Sequence, residues 1–220
     1  MPSPHARRIA TLTLALLAAA CTKTVVPPPV VATLPPPAPA PMPEGARPGM
    51  TIPARLADGS WATPNHALSA DAAVWHLRSA LNVAALACRG PQEAVLAAGY
   101  NTLLSQRSAR LKSAQAKLTA EYRAGGADWQ DRYDDSMTRL YNYWAQDFAR
   151  AGFCAEAEAT LAAAATETDA TFDAFAATRL AAMDKPFTDF FAAYDAWRTQ
   201  APLSTTPAAP VIAVDVAALR

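Results

Sequence analysis

The stretch that decides the fold is residues 69–88, which read SADAAVWHLRSALNVAALAC. Its apolar residues recur at spacings of three and four, at Val74, Leu77, Leu81, Ala84 and Cys88. This period places them on one face of an α-helix. Ser69 is suited to the N-cap and Asp71 to the positive first turn. The stretch therefore predicts an amphipathic helix that is stopped by Gly90-Pro91.

The chain after this helix shows the same helical period up to about residue 200. Glycine and proline divide it into helices expected over residues 91–124, 128–151, 154–183 and 187–200, the first of them unusually long. We therefore predict an all-α, up-down antiparallel bundle of four to five helices over residues 66–200, with one long helix.

Proline separates this bundle from the rest of the chain. The sequence has 220 residues and 19 prolines, and 12 of these lie between Pro27 and Pro64. Because each proline fixes φ and removes a backbone donor, residues 21–65 are expected to form a disordered tether, extended at about 3.1 Å per residue. A proline-rich ligand for a partner domain is the alternative interpretation. Residues 201–220 are expected to form a mobile Ala/Pro tail.

The N-terminus has the pattern of an export signal. Arg7 and Arg8 precede an apolar run over residues 9–20, which is too short to span a bilayer. The run ends in Leu17-Ala18-Ala19-Ala20-Cys21, which resembles the lipobox of bacterial lipoproteins. The resemblance implies a signal peptide over residues 1–20 and a Cys21 that carries diacylglyceryl and palmitate. Without Asp after the cysteine it also implies an outer-membrane anchor, with the bundle in the periplasm. The alternative is an ordinary signal peptide that leaves Cys21 as a free thiol.

The other two cysteines form a predicted staple. If neighbouring helices are antiparallel, Cys88 at the end of the first helix and Cys154 at the start of the fourth lie at the same end of the bundle. In an oxidising compartment we expect a Cys88–Cys154 disulfide. Two buried free thiols are the alternative, and a redox pair is disfavoured because no Cys-x-x-Cys motif is present.

The charge balance and the residue motifs exclude several classes of function. With 19 basic and 19 acidic side chains, the chain has no net positive charge for nucleic acid. His66 and His76 have no ligand partner at metal spacing, and His76 lies off the apolar stripe, as a surface or boundary residue would. The acidic run at Asp128, Asp131, Asp134 and Asp135 suits a helix N-terminus. We therefore predict a non-enzymatic protein without cofactor or metal.

Three asparagines in helical contexts, Asn82, Asn101 and Asn142, need a separate explanation, because Asn is a mediocre helix former. They either fix helix register through buried hydrogen bonds or line a polar groove with Tyr141 and Trp144 that receives a ligand. The run at 81–88, with Tyr100-Asn101, Tyr141-Asn142 and Phe153-Cys154, resembles uncharacterised Gram-negative envelope proteins over residues 70–200. That resemblance implies the bundle and the disulfide but no activity.

These observations predict a structural or interaction module of the cell envelope. It would bind the membrane through its lipid anchor and an envelope protein as partner. A periplasmic binding protein, holding a peptide, glycan or small ligand on the aromatic/Asn face, is the alternative. An envelope hydrolase is a third class, for which no acid–base pair stands out.

Overall fold

The computed structural model describes residues 41–200, except for the side chain of Gln200. The predicted signal peptide, Cys21, the first part of the predicted tether and the tail lie outside these residues. Within them the chain forms six helices and no strand: α1 (Ala70–Ala87), α2 (Glu93–Gln106), α3 (Ser108–Ala124), α4 (Trp129–Trp144), α5 (Arg150–Ala164) and α6 (Phe172–Gln200). The predicted all-α class is confirmed.

Helix α1 occupies the centre of the bundle and contacts each of the other five helices. Ser69 is its N-cap, and the Ser69 hydroxyl accepts a hydrogen bond of 3.1 Å from the backbone N–H of Ala72. The predicted apolar stripe is buried along its whole length. Residues between the stripe positions are buried as well, including His76, because helices cover α1 on more than one side.

The long helix expected over residues 91–124 is interrupted at Arg107, so that the bundle has more helices than predicted. Arg107 has φ −108° and ψ 16°, outside helical values. Its guanidinium is buried 5.2 Å from the centre of the Phe172 ring and donates hydrogen bonds to the Asp169 carboxylate and the Glu167 carbonyl. These tertiary contacts hold the interruption, beyond which α3 packs on α1 while α2 packs on α5.

The longest helix is α6, which continues through Pro186, where the sequence predicted a boundary. Gly152 was expected to separate the helices predicted over residues 128–151 and 154–183, but it lies inside α5. A Cβ at Gly152 would come within 3.0 Å of the Pro186 Cβ. Gly152 and Pro186 therefore form a close contact between α5 and α6. The single helix predicted over residues 154–183 is wrong, because the threonine-rich loop at residues 165–171 separates α5 from α6.

The predicted staple is present and confirmed. Cys88 and Cys154 form a disulfide with a Cα–Cα distance of 5.8 Å, which joins the end of α1 to the N-terminal part of α5. The bond closes a loop with a sequence separation of 66 residues. In the chain-entropy model a loop of this length is worth about 4 kcal/mol of stability.

The chain before α1 packs on the bundle from about residue 45 onward. Ile52 and Trp61 are buried, and the Trp61 ring lies edge-on to Phe191 at 5.7 Å. The Tyr194 hydroxyl donates to the Arg47 carbonyl at 3.1 Å. The predicted boundary at residue 66 is therefore corrected, since apolar side chains scattered among the prolines fix this segment. The tether remains a prediction for residues that precede it.

Candidate functional site

The aromatic/Asn face predicted from sequence is not one surface. Trp144 is fully buried, stacked on Phe153 at 5.5 Å and edge-on to Phe187 at 5.4 Å. Asn101 and Asn142 are exposed, Asn82 is half-buried, and none of the three hydrogen bonds to another within residues 41–200. Only Tyr141 and Asn142 come together, in a shallow depression on α4.

Arg78 organises the polar surroundings of Tyr141. Its Nη1 donates to the Tyr141 hydroxyl at 3.1 Å, and its Cζ lies 5.0 Å from the Trp75 ring centre. The Tyr100 ring is 5.8 Å away, with Asn82 close to its hydroxyl. Sequence reasoning missed Arg78, although its spacing of three from Trp75 and four from Asn82 places the three on one face of α1. These contacts tie α1 to α2 and α4.

A partly buried chain of polar side chains links the segment before α1 (residues 45–69, here the N-terminal segment) to α1 and α6. Asn65 Nδ2 donates to Asp184 Oδ1 at 2.6 Å, and Asn65 Oδ1 lies 3.0 Å from His76 Nδ1. We call Asp184, Asn65 and His76 the polar chain. The Tyr143 hydroxyl and Thr63 lie beside Asp184. Asn65 and Asp184 are 119 residues apart in the sequence, so no local pattern indicates the pairing.

Burial shifts the titration of each ionisable group in and beside this chain. His76 is only 3% exposed, and desolvation of the charged ring lowers its pKa to about 4. Burial raises the pKa of Asp184, while the nearby Tyr143 hydroxyl, the Asn65 amide and Thr63 oppose that rise. Burial, and then the nearby Asp184 carboxylate, raises the pKa of Tyr143. His76 is therefore neutral near pH 7.

The polar chain also decides which nitrogen of His76 carries the proton. Because the Asn65 amide nitrogen donates to Asp184, the Asn65 oxygen must be an acceptor toward His76. The Nδ1 of His76 therefore carries the hydrogen, and Nε2 is left as an acceptor. No other hydrogen bond to this ring is formed among the described residues.

His76 lines a depression of about 340 Å³ between the N-terminal segment, α1, α3 and α4. We call it the His76 depression; its lining comprises Pro64, Ala67, Leu68, Ser69, Ala72, His76, Leu118, Glu121, Tyr122, Gly125, Arg132 and Ser136. The Ser69 hydroxyl donates to Glu121 at 2.7 Å, and the Tyr122 hydroxyl donates to Ser136 at 2.6 Å. The depression thus combines polar groups with apolar walls.

A second concavity, which we call the α2–α5 groove, has a different character. Its volume is about 460 Å³, and its lining is mostly apolar: Val95, Leu96, Ala98, Gly99, Thr102, Leu103, Gln106, Glu158, Leu161, Ala162, Ala164 and Ala165. Val95 is 55% exposed. A Cβ at Gly99 would come within 3.1 Å of the Leu161 Cβ, so glycine permits the close approach of the two helices. The disulfide residue Cys154 lies in α5, one turn before the lining residue Glu158.

The remaining sequence-predicted acids lie at the start of α4. Asp131 is in the first turn, and Asp128 pairs with Arg132 at 3.0 Å. Nowhere in residues 41–200 do three or more His, Cys, Asp or Glu side chains form a group that could hold a metal ion.

Comparisons with protein-family models, curated proteins and solved structures found no match to this chain. Among the helices in the described part of the chain, none has the length and apolar character needed to cross a membrane.

Proposed function

We propose that this protein is a non-enzymatic lipoprotein of the outer membrane, and that its periplasmic bundle binds a protein partner of the cell envelope in the α2–α5 groove. The observation that carries the proposal is the groove itself, an apolar concavity between two helices near a disulfide.

The disulfide supports a location in the periplasm. Disulfides persist in oxidising compartments such as the periplasm and are rare in the cytosol. The lipobox-like run ending at Cys21 predicts the same location from the sequence. Several acyl chains on one cysteine would anchor the chain without a membrane-spanning helix.

The groove supports an amphipathic helical partner segment. Small residues on its lining, Ala98 and Ala162, leave room for a row of larger apolar side chains. Amphipathic helices are bound in this way, with anchors at spacings of three and four. Glu158 on the lining forms no ion pair with any residue in the range 41–200. The partner segment that fits is therefore apolar on one face, with a lysine or arginine opposite Glu158.

The lipid anchor at Cys21 is tested by mass spectrometry of the mature N-terminus. We expect Cys21 to be the first residue and to carry the acyl groups. The Cys21→Ser variant should lose both the modification and sedimentation with outer membranes. An unmodified N-terminus at another residue would contradict the lipid anchor.

The groove is tested by photo-crosslinking in intact cells. A photoreactive residue at position 95 should give one discrete adduct, whereas the same residue at the exposed Ala116 of α3 should not. The Glu158→Lys substitution should abolish the adduct, because it would repel the basic partner residue. Equal adducts from both positions, or an adduct unchanged by Glu158→Lys, would contradict the proposal. An adduct that contains only this chain would show self-association instead.

A further inference from the structure

The His76 depression shares no lining residue with the α2–α5 groove and has the features of a second binding site. We propose that it binds a small polyhydroxylated ligand, such as a sugar, with one hydroxyl donating a hydrogen bond to His76 Nε2. The proposal does not depend on the partner groove.

The first observation is the orientation of His76. The polar chain fixes the ring through Nδ1 and leaves Nε2 as an acceptor without a partner among the described residues. Nε2 is not one of the fully buried polar atoms without a partner in residues 41–200, so a hydrogen-bond donor can reach it from the depression. The ring lines the depression, so a ligand hydroxyl bound there can supply that hydrogen bond.

The second observation is the backbone at the rim of the depression. Ala67 has φ 54°, the only positive φ of a non-glycine residue in the described range. This conformation costs about 1 kcal/mol for an alanine and persists where surrounding contacts enforce it. It lies between Asn65, which holds His76, and Ser69, which caps α1 and binds Glu121. Such strained residues cluster at ligand sites.

The lining of the depression matches the two faces of a sugar. Glu121 and His76 provide acceptors for hydroxyl groups. The side chains of Pro64, Leu68 and Leu118 provide an apolar wall for the C–H face. Arg132 is already committed to the carbonyls of Gly125 and Tyr122 and to Asp128, so an anionic ligand is disfavoured. The volume of about 340 Å³ lies within the range of small-molecule pockets, roughly 300–1,000 Å³.

The test is a titration of the full mature chain, labelled with ¹⁵N, with N-acetylglucosamine as the probe. Long-range ¹H–¹⁵N spectra first report the tautomer, and we expect a protonated Nδ1 and a bare Nε2 at His76. The sugar should then shift the Nε2 resonance of His76 while His66, an exposed histidine on the same segment, stays unchanged. A protonated Nε2, no shift, or equal shifts at both histidines would overturn the proposal.

Two variants and a second probe test whether the ligand binds in this depression and through its hydroxyl groups. Glu121→Gln should weaken the affinity by about tenfold, because a charge-assisted hydrogen bond is lost. Glu93→Gln, a surface change on α2, should leave the affinity unchanged. Ethanolamine, which offers an ammonium group, should bind more weakly than the sugar. A shift caused by ethanolamine alone, or a Glu121→Gln variant with full affinity, would contradict a polyhydroxylated ligand in this depression.

Discussion

Two regions of the core meet at Tyr143 and are stabilised in opposite ways. On one side its ring joins an aromatic cluster that comprises Tyr143, Trp144, Phe153, Phe187 and Phe191, with the Phe187 ring centre 4.7 Å away. On the other side its hydroxyl lies beside Asp184, the end of the polar chain. Burial of apolar area stabilises the cluster at any pH, whereas the polar chain is stable only while each member has its partner and its proper protonation state.

The largest expected effect is in the aromatic cluster. Phe187 is fully buried, and Phe187→Ala removes a ring that contacts Tyr143, Trp144 and Phe153. We expect the free energy of unfolding to fall by about 4 kcal/mol, from lost burial and the cavity left behind. Denaturant titration at pH 5 and pH 8 should give the same loss. The matched control is Phe175→Ala, a half-buried phenylalanine of α6, which should cost clearly less. A loss that depends strongly on pH would show that the cluster and the polar chain are not separate.

The next effect is the pH dependence that His76 contributes. Its pKa is 6.5 when unfolded and about 4 in the folded protein, so between these values the unfolded chain binds more protons. The contribution is therefore complete above pH 6.5 and is lost as the pH falls toward 4, by about 3 kcal/mol. Asp184, whose pKa is raised, contributes with the opposite sign. Unfolding of the native chain and of His76→Gln, measured from pH 4 to 8, isolates the histidine term. Parallel curves for the two proteins would contradict it.

A smaller effect is expected from breaking the polar chain in the middle. Asn65→Ala leaves Asp184 Oδ1 and His76 Nδ1 without their common partner. We expect a loss of about 2 kcal/mol at pH 7, because a buried polar group without a hydrogen bond is unfavourable. Asn142→Ala, at an exposed asparagine of α4, is the control and should change stability by less than about 0.5 kcal/mol. If both variants behave alike, Asn65 has no special role.

The contrast between the two regions also explains which features of the structure could be predicted from the sequence. The α1 stripe, the Ser69 cap and the Cys88–Cys154 pair were predictable, since they depend on local period and on chain direction. Considered alone, Gly152 and Pro186 each favour the end of a helix. In the structure they face each other between α5 and α6, and burial of the neighbouring Phe187 and Phe191 keeps the helix continuous.

What the sequence could not predict depends on contacts between distant residues. The interruption at Arg107 is held by groups of the α5–α6 loop, some 60 residues later. His76 was expected at a boundary, because its position off the stripe says nothing about which further elements cover α1. Its partner Asn65 lies in a segment expected to be a tether. The candidate ligand site is formed by such contacts, so no local motif indicates it.

The smallest expected effect tests the junction itself. Tyr143→Phe keeps the ring in the aromatic cluster and removes only the hydroxyl beside Asp184. That hydroxyl has no well-aligned partner among the described residues, so we expect stability at pH 7 to change by less than about 1 kcal/mol. The pKa of Asp184 should nevertheless rise further, because the hydroxyl now lowers it. A ¹³C titration of the Asp184 carboxyl in both proteins measures this change. An unchanged midpoint would mean that the hydroxyl does not stabilise the carboxylate, and the two regions would then meet at Tyr143 without being coupled.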